Sequence, residues 1–579
     1  MAALLTLAIL LVFYLAYRFY ARWVGERVFG DSEEILTPAH EFNDGQDYLP
    51  TRPAILFGHH YASIAGAAPI IGPCIAAYWG WLPALAWIVL GTIFMGGIHD
   101  FGALVVSARE KGRSMADIAG GLLSGRARLM FLSFVLLMIW LVLAVFTMAI
   151  AGLFVSEPTS VVPVNIVTVV AVFMGWLLYK KKVPPLWPSI ASVIVLYAFV
   201  WVGTWAPVDF QRSFGLDAMQ ANRVWVWGLL AYAAIASLLP VWVLLQPRDY
   251  INSHQLLVGI GLLYLGLFVA HPDIDAPALR IGREQGAPPI LPLLFVTVAC
   301  GAISGFHGLV SSGTTSKQLD RLRDARVVGY GGMLGESALA VLAMMSAVAG
   351  IAMVDDCTLP GQGRVAHLDW ATYYDRWVHA GTNQASAFVL GGAAFLRSLG
   401  MPQELARTLI AVLVISFAAT SLDTAARIQR FILHEFGAAL KWRALENRYV
   451  ATAIAVLPAA ALTLWELPDP SSGKMRGAGW VLWPVFGASN QMLAALTLMV
   501  LALYVWSKRK ATLALVLPMI FVMGVTLIAL LASIGEFLAQ GNRLLAAIAA
   551  LMLALIVWML IEGGLALSRG RRENARLEP

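Results

Sequence analysis

A chain of 579 residues that is 59% hydrophobic and only 13% charged, with a mean hydropathy of +0.75, does not have the composition of a soluble protein; ordinary soluble domains carry roughly 25% charged residues. Its net charge of +6 does not point to nucleic acid, because the basic residues fall in short clusters between apolar runs and act as topology signals. Three widely spaced cysteines, Cys74, Cys300 and Cys357, imply neither a disulfide framework nor a metal site, and no GxxxxGK[ST] string for a nucleotide is present, so no cofactor is expected.

Apolar runs bounded by charge, Pro or Gly predict spans near 3–20, 58–80, 84–107, 129–155, 163–179, 187–205, 223–246, 253–271, 291–313, 330–353, 405–422, 449–467, 480–506, 512–534 and 545–567. Most are close to the roughly 20 residues that a bilayer core demands. The N-terminal MAALLTLAILLVFYLAYRFYARW lacks a positive leading region and a small-residue cleavage site, so it reads as a retained span rather than a signal peptide. With the N-terminus outside, nearly every basic cluster falls inside, at Arg18–Arg52, Arg109–Arg128, Lys180–Lys182, Arg248, Lys317–Arg326, Arg427–Arg448, Lys508–Lys510 and Arg569–Arg576; Arg212, Arg280, Arg283, Arg364 and Arg376 are exceptions, mostly in longer loops. Acids such as Glu157, Asp209, Asp355 and Asp469 fall outside. The run Ala385–Leu396 is too short to span and is expected to be re-entrant or interfacial. The expected fold class is therefore an all-α polytopic membrane protein of about 15 transmembrane helices.

The second span opens on FGHHYASIAGAAPIIGP, residues 57–73, which holds two histidines and five glycines or prolines inside an apolar run. Irregular backbone at membrane depth persists only where it is buried in protein or lines a wet cavity. The stretch is expected to be a broken helix that forms a substrate site through His59, His60, Ser63, Gly66, Pro69 and Gly72. The N–H groups of a half-helix starting after Pro69 or Pro73 suit a carboxylate. Five spans later the sequence is interrupted again at Ser237–Pro240, in the opposite direction across the membrane. Pro240 therefore marks the expected inverted partner, although prolines also serve packing in membrane helices.

Other polar residues stand in apolar surroundings. His99 and Asp100 read either as a structural ion pair or as a proton-relay pair, and Glu336 is a further buried acid. The stretch CGAISGFHGLVSSGTTSKQLD, residues 300–320, holds Ser304 and His307 for a cavity wall, and Ser311, Ser312, Thr314 and Thr315 as oxygens for a substrate or sodium. Back-bonding to the helix's own carbonyls is the competing use of those hydroxyls. Asp423 and Arg427 are spaced for a helix ion pair, and Asn490 and Gln491 for gluing helices together.

The strings NDGQDYLPT (43–51), GHHYASIAGAAPIIGP (58–73), HDF (99–101), LPVWVLLQPRDY (239–250), GAISGFHGLVSSGTTSKQLD (301–320), GYGGMLGES (329–337), ATSLDTAARIQR (419–430) and WPVFGASNQMLAAL (483–496) resemble the carbon starvation protein A (CstA) family of bacterial membrane transporters. The resemblance covers most of the chain. It implies uptake of small carbon sources, with pyruvate and peptides as substrates and a proton as the coupling ion. Similarity to the amino acid, polyamine and organocation superfamily implies a five-plus-five inverted-repeat, LeuT-like core. Ala67-Ala68-Pro69 stands where GAGP is usual and His99-Asp100 where Gln-Asp is usual, so the substrate is open. The chain is expected to be one N-terminal span shorter than larger members.

These readings converge on an inner-membrane secondary transporter, not an enzyme, importing a small carboxylate or peptide by proton symport. A sodium-coupled carrier and a nutrient-sensing receptor or channel are the alternatives. The expected divisions are a first helix and loop at 1–57, repeats at 58–205 and 206–448, and accessory helices at 449–579. The partners are the substrate, the coupling ion and the lipid bilayer.

Overall fold

The computed structural model describes every residue except Gln46, 282–286, 288, 360–362, 383–384, 469–474 and 578–579, so Asp469 lies outside the described residues. Along the chain run helices α1 (Ala2–Phe29), α2 (Pro53–Ile64), α3 (Ala68–Trp79), α4 (Trp81–Arg109), α5 (Gly125–Ser156), α6 (Pro158–Tyr179) and α7 (Leu186–Trp205). They are followed by α8 (Ala218–Leu238), α9 (Leu245–Ala270), α10 (Ile290–Thr297), α11 (Ala299–Ala302), α12 (Gly305–Gly313) and α13 (Leu322–Met353). The remainder is α14 (Ser386–Arg397), α15 (Gln403–Leu440), α16 (Arg448–Leu464), α17 (Trp483–Ser507), α18 (Leu513–Ala539) and α19 (Arg543–Leu565). Two small antiparallel hairpins, Asp355–Leu359 with Gly363–His367 and Glu466–Pro468 with Met475–Gly477, decorate the connections.

Local chemistry sets the ends of these helices. Ser124 accepts from the Ala127 N–H at the start of α5, Asp217 and Gln220 form a reciprocal capping box at α8, and Asn447 caps α16. Eleven described helices are long and apolar enough to cross a membrane, and the bent pair α2–α3 raises this to twelve. This is fewer than the about 15 expected from run lengths. The difference lies in α8, which is less apolar, in the stretch 290–313, which is broken into pieces, and in α16, which has 17 residues. The run at 385–396 forms α14, a 12-residue helix packed against α15 and too short to span.

Both breaks are visible in the backbone. The axis turns by 48° between α2 and α3, around Ala65–Ala67. A second turn lies between α11 and α12, where Ile303 (φ −161°, ψ 126°) and Ser304 (φ −129°, ψ 127°) are extended. The expected partner break at Pro240 is corrected: Pro240 is exposed in the connection between α8 and α9 and interrupts no span. The second broken span is 290–313, whose glycines permit what Pro240 advertised.

Packing around the two breaks is reciprocal. The first broken helix, α2–α3, lies on α13, the helix that follows the second break; α12 lies on α4, the helix that follows the first. Within each half α9 packs on α2 and α17 on α12, while between the halves α5 crosses α15 and α8 lies along α16. Such swapped neighbours are what a five-plus-five inverted repeat requires. At the centre, α17 is wholly buried and α5 and α15 nearly so, whereas α6, α7, α18 and α19 present leucine, isoleucine and tryptophan outward.

Small residues allow the closest approaches. A Cβ built on Gly72 of α3 would sit 2.3 Å from the Thr297 carbonyl oxygen, which is backbone and cannot swing away. Gly72→Val is therefore expected to lower the thermal unfolding temperature of the purified protein by an amount equivalent to about 1–3 kcal/mol. Gly228→Ala, which meets nothing within 4 Å, should leave it unchanged. An unchanged unfolding temperature for Gly72→Val would contradict this packing.

Candidate functional site

Four ionisable side chains from three helices meet at the centre of the bundle. Asp100 of α4 shares one carboxylate oxygen with His99 Nδ1 at 2.7 Å and the other with His307 Nδ1 of α12 at 2.9 Å. The second ring nitrogen of His307 lies 3.0 Å from Glu336 Oε2 of α13. All four are 1% exposed or less. One imidazole thus bridges two carboxylates, an arrangement in which the number of protons decides how many charges stay unmatched. Glycines make room for the rings: a Cβ on Gly308 would lie 3.0 Å from the His99 ring, and one on Gly332 would lie 2.9 Å from His60.

Beside this chain a narrow cleft opens between the two breaks. Ile64, Ala68 and Pro69 line it from the first, and Cys300, Ser304, Phe306 and His307 from the second. Val142 and Phe146 of α5 and Phe486 and Asn490 of α17 complete the wall. His307 therefore faces the cleft and holds both acids. Backbone groups freed by the breaks are satisfied by helices outside them. Asn490 Oδ1 accepts from the Phe306 N–H at 2.9 Å, and Ser421 of α15 donates to the Ser63 carbonyl at 3.1 Å. Ser304 donates to Asn490 at 3.2 Å, so Asn490 does more here than glue helices together.

The remaining expected residues are distributed as follows. His60 shares a 3.0 Å hydrogen bond with Thr315, and its Nε2 has no protein partner. His59 points the other way, to Asp249 of α9 at 2.7 Å. Ser63 and Ser311 keep buried hydroxyls without a protein partner, whereas Ser312 and Thr314 bond to the Gly308 and Val310 carbonyls of their own helix. Gly66 packs on Ser421 and Phe146, and Gly72 packs on backbone; neither Gly72 nor Pro240 lines the cleft.

A second buried cluster stands where a loop charge and a helix ion pair are expected. Arg248, expected among the basic loop residues, lies inside α9 at 3% exposure, bonded to Asp423 of α15 and to Tyr232 of α8. Tyr232 donates to Asp423 at 2.8 Å. Asp423 and Arg427 are consequently not each other's partners: Arg427 reaches Asp47 at 3.1 Å and the Leu239 carbonyl. Asn252, one turn beyond Arg248, donates to Thr420 at 2.7 Å. The spacing of Arg248, Asp249, Asn252 and Gln255, one helix face, was the available signal.

A family model described as carbon starvation protein CstA matches residues 1–360 and 363–529. The chain is 33% identical over 569 residues to a peptide transporter CstA of Mycobacterium tuberculosis, covering 89% of this chain and 73% of that one. A peptide transporter CstA of Campylobacter jejuni is 31% identical over 589 residues, covering 94% and 82%. The pyruvate/proton symporter BtsT of Escherichia coli is 31% identical over 564 residues, covering 86% and 77%.

The Arg248 cluster makes a testable demand. Arg248→Ala strands Asp423 without its cation, and breaking a buried pair typically costs about 3–5 kcal/mol. Heating the purified variant should reveal a large loss of stability, while Asn252→Ala loses much less. Equal unfolding temperatures for Arg248→Ala and the parent would contradict the pairing.

Proposed function

Because this chain belongs to the carbon starvation protein CstA family, we propose that it is a secondary active transporter importing a small carboxylate or a short peptide by proton symport. The observation that carries the reading is His307, which lines the cleft between the two breaks while holding Asp100 and Glu336. Relatives named as peptide transporters and as a pyruvate/proton symporter support a substrate bearing a carboxylate.

In this reading the substrate lies between the breaks. Phe146, Phe306 and Phe486 enclose its apolar part, and Ser304, Asn490 and the start of α3 at Ala68 meet its polar end. An anion entering beside the buried chain adds a negative charge that nothing nearby neutralises. A proton taken up by the Asp100–His307–Glu336 chain offsets it, so anion and proton bind together more readily than either alone. His99 and His60, each with a ring nitrogen lacking a protein partner, are the relay positions on either side. Alternate opening of the cleft to the two membrane faces then carries both species across.

Sodium coupling is the alternative, because Ser312 and Thr314 donate to their own helix carbonyls and so keep their oxygen lone pairs for a cation. The reciprocal packing favours repeats at 53–270 and 290–507 over divisions at 58–205 and 206–448. The clustering of basic residues supports an inner-membrane protein with its N-terminus outside and C-terminus cytoplasmic.

Uptake into proteoliposomes tests the reading. Labelled pyruvate or dialanine should accumulate above equilibrium under an inward proton gradient and should not under a sodium gradient. Asn490→Ala, which loosens the second break, should reduce uptake by at least roughly tenfold, a factor that 1.4 kcal/mol provides. Absence of accumulation of both substrates under the proton gradient would sink the symport.

A further inference from the structure

A second cleft lies towards the basic end of the bundle, separated from the first and sharing no lining residue with it. Its walls come from α2, from the connection before α9, from the end of α12 and from α15. The residues that matter are His59, Lys317, Thr424, Arg427 and Asp47. Three of them keep a buried polar atom without a protein partner: His59 Nε2, Thr424 Oγ1 and Arg427 Nε. The residues carrying those atoms are only 3%, 1% and 3% exposed.

Asp47 is the acid on the cleft wall, and Asp44 and Glu435 act on Lys317 from beyond it. Arg427 is matched by Asp47 at 3.1 Å. Lys317 forms no ion pair among the described residues; its ammonium lies 4.9 Å over the Phe431 ring and 5.5 Å over Tyr48. Asp249 is turned away to His59 Nδ1 and lies beside Arg248. A lysine left unpaired next to a cation–π face, a guanidinium with a free N–H and a free hydroxyl form a donor set shaped for an oxyanion.

We propose that this cleft is a second binding site for a small carboxylate, occupied by the transported anion on its way between the central cleft and the basic, cytoplasmic face. The proposal rests on the transporter reading above. Lys317 supplies the charge, Arg427 Nε and Thr424 Oγ1 supply directed hydrogen bonds, and His59 closes the wall nearest α2. His59 and His60 are consecutive on α2 and face different sites: His60 turns to Thr315 beside the central chain, His59 to the second cleft.

Equilibrium binding of labelled pyruvate and labelled dialanine to the full-length protein in detergent tests this. The parent should bind two equivalents of whichever probe it transports. Lys317→Gln and Thr424→Val should each lose one equivalent and keep the other, the kept one proving that the variant is folded. Asn490→Ala should lose the complementary equivalent. A parent that binds a single equivalent, removed by Asn490→Ala and untouched by Lys317→Gln and Thr424→Val, overturns the second site alone. No saturable binding of either probe brings down the transporter reading and this site with it. Selective displacement of the Lys317-dependent equivalent by inorganic phosphate, with pyruvate ineffective there, assigns the cleft to another oxyanion and overturns its place on the substrate route.

Discussion

Everything in the centre of this protein depends on two carboxylates sharing the His307 imidazole, with His99 on the other oxygen of Asp100. Asp100, His307 and Glu336 come from α4, α12 and α13, and each is removed from solvent. Charged groups taken out of water keep their stability only while partnered, and the loss of one partner strands the others. The three helices are therefore bound to one another by a proton count as much as by packing. Gly308 and Gly332 serve the same end by leaving space for the histidine rings.

The breaks are held from outside. Asn490 of α17 and Ser421 of α15 take up backbone groups that α12 and α2 release, and both scaffold helices are among the most buried in the bundle. A backbone interruption at membrane depth requires such protein partners, because lipid offers none. Ser63 and Ser311, on the same two broken helices, keep buried hydroxyls without a protein partner.

Much of this was legible because polar residues in apolar runs announce themselves. His60, His99, Asp100, His307 and Glu336 stood out for that reason, yet their pairing did not: Asp100 and His307 lie 207 residues apart in sequence. Periodicity reports neighbours within one helix and nothing about a facing one. The same blindness misassigned Asp423 and Arg427, whose spacing is ideal for a pair, although Arg248 reaches Asp423 from α9. The second break was missed for a different reason. Gly301 and Gly305 flank it without a proline, and glycine in a membrane helix reads equally well as a close contact. Pro240 drew attention because proline removes a backbone donor, but it sits between helices, where nothing needed that donor. Arg248 looked like a loop charge because it follows Pro247, and proline is tolerated in the first turn of α9.

The central claim is that His307 links the proton to the substrate. It is tested most directly by recording substrate and proton entry together, in proteoliposomes carrying an internal pH dye, for the parent and for His307→Gln. The parent should acidify the lumen as it takes up substrate. His307→Gln should exchange labelled for unlabelled substrate across the membrane while neither accumulating it nor moving protons. Accumulation with undiminished acidification in His307→Gln would contradict the account.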